Sequence, residues 1–132
     1  MGVAVNAFFG ENVPLMDKVM EYAKKMNPGV PRENRLIHTV KGWVDVLLMR
    51  EALVRADKAG KLNGPGIKDA FETIRDWTPG LGRPPITITP TDHRPGSLVR
   101  VYMIKDKKFN LLEEVDLKKR WPDKWEKEWL GW

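Results

Sequence analysis

Residues 3–9, Val-Ala-Val-Asn-Ala-Phe-Phe, constrain the fold of this chain more than any other stretch. They are apolar at nearly every position, so an extended segment here needs cover on both faces. A central strand of a parallel sheet has that environment. A parallel neighbour normally comes from an adjoining strand–helix–strand unit of about thirty residues. Three helical patterns in succession follow instead, and the later strand patterns read as one-sided. The opening strand is therefore expected to lack sheet partners within these 132 residues. Its neighbours would lie upstream or on a second copy of the chain.

Gly10-Glu11-Asn12 reads as a turn, with Asn12 capping a helix that carries Pro14 in its first turn. Leu15, Val19, Tyr22, Ala23 and Met26 recur at helical spacing, and Asn27-Pro28-Gly29-Val30-Pro31 ends the pattern. A second, longer helix is predicted from about 34 to 59. Its stripe is Leu36, Val40, Trp43, Val44, Leu47, Leu48 and Leu53, with Glu51 and Arg55 placed to pair and Gly60 as the stop. A third is capped by Asn63 and buries Ile67, Ala70, Phe71, Ile74 and Trp77.

Residues 79–85 form a stiff connector rich in Pro and Gly. Ile86-Thr87-Ile88-Thr89 alternates like a strand with one buried face. Leu98–Lys105 and Phe109–Val115 read as the arms of a hairpin. Its turn at Asp106-Lys107 contains neither Gly nor Asn, which predicts a loop looser than the tight primed types. Trp121, Trp125 and Trp129 fall four residues apart, on one face of a helical tail that ends at Trp132.

Composition narrows the possible chemistry. Hydrophobic residues make 42% and charged residues 31%, the balance of a soluble globular domain. No apolar run approaches the length of a bilayer-spanning segment. Met1-Gly2-Val3-Ala4 lacks a basic segment followed by an apolar stretch, so an export signal would lie outside this sequence. The net charge of +5 is spread through the chain. Its densest clusters, Lys105–Lys108 and Lys118–Arg120, have acidic neighbours, which argues against nucleic acid as a partner. Cysteine is absent, which removes disulfides, thiolate nucleophiles and zinc–thiolate sites.

Few residues suit catalysis. His38 and His93 lack the i±3 or i±4 partners of a helical metal site. Ser97 is the sole serine and has no nucleophile-elbow context. Gly64-Pro65-Gly66 and Gly80-Leu81-Gly82 lack the Lys-Ser/Thr ending of a phosphate loop. In Asp92-His93-Arg94, neighbouring side chains of an extended loop diverge and do not converge on one atom. Asp92 is expected to cap a turn and His93 to tie the loop to backbone carbonyls. No catalytic residue, metal site or cofactor is expected. In open α/β sheets ligands gather beyond the carboxyl ends of strands, which makes Phe8 and Phe9 candidate walls of a solute site and Asn6 a polar contact. Plain core packing explains the same aromatic residues, and Trp43 on the long helix reads more readily as core.

Thr39-Val40-Lys41-Gly42-Trp43 leading into the long helix, the Asn63-Gly64-Pro65-Gly66-Ile67 helix start, and Pro84-Pro85-Ile86-Thr87-Ile88-Thr89-Pro90-Thr91-Asp92-His93-Arg94 follow one another in a distinctive order. Together they resemble the C-terminal region of type I periplasmic solute-binding proteins. These are the extracellular ligand-binding receptors of branched-chain amino acid ABC transporters and their relatives. The resemblance covers about residues 2–116.

It implies an α/β class: a partial type I periplasmic-binding-protein fold, made of a βα unit, two helices, a β-hairpin and a short Trp-rich helix. Residues 1–31 would be the last strand and helix of the second lobe, and 32–97 would belong to the first lobe. Residues 98–116 would cross back, and 117–132 would form the tail. The chain would supply about the last third of such a protein, which would explain the unpartnered strand. Asn6, Phe8, Phe9, Thr39 and Trp43 would contact solute. Members often place an aromatic residue at the position of Thr39. That departure, with the Phe8-Phe9 pair, turns the expected solute from a branched-chain amino acid towards other amino acids and small aromatic or organic acids. An ABC permease would be the partner and the periplasm or cell exterior the location. Self-association through the first strand or the Trp tail is a further expectation. A stand-alone interaction module using the Trp-rich tail is the alternative reading.

Overall fold

The computed structural model describes residues 2–31, 35–106 and 108–129, with the Lys108 side chain not described. Among the described residues, three strands and five helices run in the order β1 (Gly2–Ala4), α1 (Met16–Met26), α2 (Ile37–Lys58), α3 (Gly64–Phe71), β2 (Leu98–Lys105), β3 (Lys108–Asp116), α4 (Leu117–Arg120) and α5 (Pro122–Lys127). The class is α/β as expected.

The opening strand differs from expectation in length and in partner. Only Gly2–Ala4 is strand, and it pairs antiparallel with β2, Val3 opposite Val101. The sheet order is β1-β2-β3, so β1 is an edge strand and the hairpin arm β2 is central. Val3 is 67% exposed while Ala4 is buried, so one face of the segment is covered and not both. An apolar run specifies burial but not which strand supplies it. Beyond Ala4 the chain leaves the sheet. The Ala7 amide donates to the Leu81 carbonyl at 2.9 Å, and the Leu81 amide donates to the Pro14 carbonyl at 3.0 Å. The Pro/Gly connector thus clamps residues 7–14 from outside the sheet.

That clamp needs Gly82. Its φ of +64 is left-handed, and a Cβ there would stand 2.9 Å from the Ala7 Cβ and 3.0 Å from the Ala7 amide nitrogen.

The helices bury less of the predicted stripes than expected. In α1, Met16, Val19 and Ala23 are buried, while Tyr22, and Leu15 just before the helix, are each 44% exposed. Helix α2 buries Val40, Val44, Ala52 and Ala56 and joins two apolar clusters. Trp43 and Leu47 pack on the first, which holds Ala7, Met16, Val19, Val40, Val44 and Leu81. Leu48 packs on the second, Ile74, Ile86 and Ile88. Leu36 and Leu53 lie outward. The Glu51–Arg55 pair forms at 2.8 Å, and Arg55 also donates to the Thr73 carbonyl at 2.9 Å. Asn63 caps α3 as predicted, accepting from the Gly66 amide at 2.9 Å.

Ile86–Thr89 forms no strand. It makes isolated bridges, Trp77 to Ile86 and Thr89 to Asp92. The predicted alternation holds, since Ile86 and Ile88 are buried. The hairpin matches in extent but not in turn. Lys105 pairs with Lys108, leaving two residues between the arms, and Asp106 takes φ +53. A short polar side chain tolerates this conformation, so Asp serves where Gly or Asn was sought.

The tail is two short helices, not one. Helix α4 stops at Arg120 and α5 starts at Pro122, whose ring cannot continue the ladder. Trp121 therefore sits at the junction and the expected four-residue stripe is broken. Trp132 lies outside the described residues.

Candidate functional site

The five sequence-predicted contacts separate into different surroundings. Phe8 turns toward the hairpin. Its ring stacks on Phe109 at 3.8 Å and 11°, and meets Tyr102 edge-on at 5.0 Å. Phe9 turns the other way, packing against the Val19/Val40/Leu81 cluster. The chain turns at Phe9-Gly10, with the Glu11 amide donating to the Phe8 carbonyl at 3.2 Å, and the two rings do not share one wall. Trp43 packs on the same cluster as Phe9 and meets Tyr22 at 5.8 Å. Asn6 is buried, and its amide group donates to the neighbouring Ala7 carbonyl at 3.2 Å. Thr39 is half-buried in the first turn of α2, its backbone amide bonded to the Leu36 carbonyl at 3.0 Å.

A concavity of about 290 Å³ opens beside Phe9. Met20 and Lys24 of α1 form one side. Pro28 and Val30, in the turn that ends α1, form another, and Arg35 closes it. The turn exists because Asn27-Pro28-Gly29 cannot prolong the helix. Arg35 is held by a 2.6 Å bond from its guanidinium to the Asn27 carbonyl, and its Cζ lies 5.9 Å from the Phe9 ring centre. The walls are apolar, the two charged residues lining it are cations, and no carboxylate lines it among the described residues.

A second concavity, about 430 Å³, lies between the 87–97 loop and the tail, bordered by Thr87, Thr89, Thr91, Lys118, Trp125 and Glu126. Its floor is a closed polar knot. Arg94 binds Asp92 through both carboxylate oxygens, at 2.7 and 2.8 Å. It also donates to the carbonyls of Trp125 and Trp129, the latter at 2.7 Å. These donors hold the Asp92 carboxyl below its ordinary range, against the opposing pull of partial burial. The buried Trp125 indole faces the same carboxylate, although its Nε1 completes no hydrogen bond.

Asp92 does form a turn, accepting from the Arg94 amide at 3.1 Å. His93 does not tie the loop to carbonyls. Its Nε2 meets the Glu72 carboxylate at 2.8 Å, and Lys68 meets the same oxygen at 2.6 Å. Lys68 first and His93 second hold the Glu72 carboxyl below its usual value. Asp92 and His93 thus face different partners and make no dyad.

Sequence reasoning missed Lys24, Arg35 and the Arg94–Trp125 contact. Lys24 looks like any polar residue of α1, and Arg35 like one charge in a charged run. Arg94 and Trp125 are 31 residues apart, and no spacing rule relates them. Among the described residues no three or more His, Cys, Asp or Glu are placed to hold a metal ion, and no helix is long and apolar enough to cross a membrane.

No protein-family model matches the chain, and no curated protein sequence matches it. Among solved structures it is similar to a fatty acid ABC transporter substrate-binding protein from Thermomonospora curvata, with a TM-score of 0.73 and 19% identity. The likeness covers 90% of this chain and 31% of that one, so the chain spans about a third of that protein's length. At this identity the likeness speaks for fold and not for solute. The chain has the architecture of part of a periplasmic-binding-protein-like fold.

Proposed function

We propose that the chain is the C-terminal part of an extracytoplasmic solute-binding component of an ABC transporter, a binding protein without catalysis of its own. The observation that carries this reading is the fold likeness to a transporter's substrate-binding protein across nine-tenths of the chain. The ordered motifs from Thr39 to Arg94 support it independently. So does the exposed face of α2, where Val46 is 67% and Met49 46% exposed, an apolar surface suited to the remainder of a larger lobe.

The solute is an amino acid or a small aromatic or organic acid. The similar structure's solute class, fatty acids, shares the carboxylate with these. The partner is a membrane permease, reached from the periplasm or the cell exterior. Domain assignments follow the resemblance: 1–31 in the second lobe, 32–97 in the first, 98–116 crossing back and 117–132 as tail.

Uptake assays in the native host test the reading. Deleting the gene should abolish uptake of one labelled amino acid or organic acid and leave other solutes unaffected. Unchanged uptake of every amino acid and organic acid tried would contradict it.

A further inference from the structure

We infer that the concavity at Phe9, Met20, Pro28 and Val30, rimmed by Lys24 and Arg35, is a binding site for a small carboxylate with an apolar body. This deepens the solute-binding reading and rests on it for its biological role. A volume of about 290 Å³ accommodates a short acyl chain or one aromatic ring. The Phe9 ring and Met20 side chain offer a deformable apolar wall. Lys24 enters no ion pair among the described residues, and Arg35 spends one terminal nitrogen on the Asn27 carbonyl while its other donors have no protein acceptor there. Two cations above an apolar floor, with no carboxylate lining the site among the described residues, complement an anionic head.

Arg35 is also pre-organised. The Asn27 carbonyl ends α1, and its bond to the guanidinium fixes the side chain over the turn near the Phe9 ring. Less rotamer freedom is therefore lost when a carboxylate arrives. Neither Asn6 nor Phe8 takes part, because Asn6 is buried against its own backbone and Phe8 faces the hairpin.

Hexanoate and its neutral analogue hexanamide are the probes, titrated into the protein as its gene encodes it and followed by amide chemical shifts. Hexanoate should shift the amides of residues 9, 20, 24, 29, 30 and 35 in a saturable way, and hexanamide should bind about tenfold more weakly. Lys24→Gln and Arg35→Gln should each cost several-fold in hexanoate affinity while leaving that for hexanamide unchanged. Both positions lie at the rim, so folding should survive, and an unchanged melting temperature checks this. Equal binding of the two probes, hexanoate shifts that map elsewhere, or hexanoate affinity indifferent to both substitutions would overturn the site. Saturable hexanoate binding elsewhere would overturn it while leaving the solute-binding reading intact.

Discussion

The Arg94 guanidinium lies 4.0 Å from the centre of the Trp125 ring. This contact joins the 87–97 loop to the tail. The same guanidinium grips Asp92 with two bonds and reaches two tail carbonyls. Trp125 is buried on its own chain, which leaves Trp121 and Trp129, 6.0 Å apart and half-exposed, as the outward part of the tail. The tail is therefore a packed component of the fold before it is anything else.

Arg94→Lys should destabilise the protein although it keeps the charge. A lysine cannot bind a carboxylate bidentately and reach two carbonyls at once. The loss should be about 2–3 kcal/mol, from several charge-assisted hydrogen bonds and the ring contact together. Urea titration measures it, and an unchanged midpoint would show that the knot contributes nothing net.

Acid should loosen the same knot. Arg94 holds the folded Asp92 carboxyl below the unfolded value of 3.8. Because the folded value is the lower one, this stability is present above about pH 4 and is lost as pH falls through the folded value. Asp92→Asn should flatten that part of the acid limb in a melting-temperature series. An acid limb identical to wild type would refute the assignment.

Phe8→Ala should cost about 1–2 kcal/mol, because it removes a half-buried ring that packs on both Phe109 and Tyr102. Solute affinity of the folded variant should be unchanged. A variant of full stability with lost affinity would move Phe8 back to the solute site.

Gly82→Ala should cost about 1–3 kcal/mol, since the left-handed φ and the approach of Ala7 both exclude a methyl group. Calorimetric melting is the check. No loss would mean that the connector yields freely and does not clamp residues 7–14.

What the sequence disclosed and what it hid differ in physical kind. Local signals served in part: Asn12 caps no helix and the turn at Asp106 is tight, not loose. Asn63 as a cap, the Glu51–Arg55 pair and the alternation of Ile86 and Ile88 depend on neighbours within a few residues, and all are present. Signals that need a distant partner did not survive. The apolar run 3–9 showed that cover was needed, but not that β2 would supply it antiparallel and on one side only. Ile86–Thr89 has a strand's pattern without a ladder to join. At the candidate site, Phe9 was legible as an aromatic residue, but the strand expected to end on it stops at Ala4. Its separation from Phe8, and its meeting with Lys24 and Arg35, depend on the turn at Asn27–Val30 folding back, which no periodicity encodes.

Native mass spectrometry of the protein purified gently from its own host reads out solute binding itself. A solute-binding component should carry one small carboxylate per protein, released on mild unfolding and identifiable by its mass. Preparations that hold no amino acid or organic acid, and that take up none when these are supplied in excess, would contradict the account.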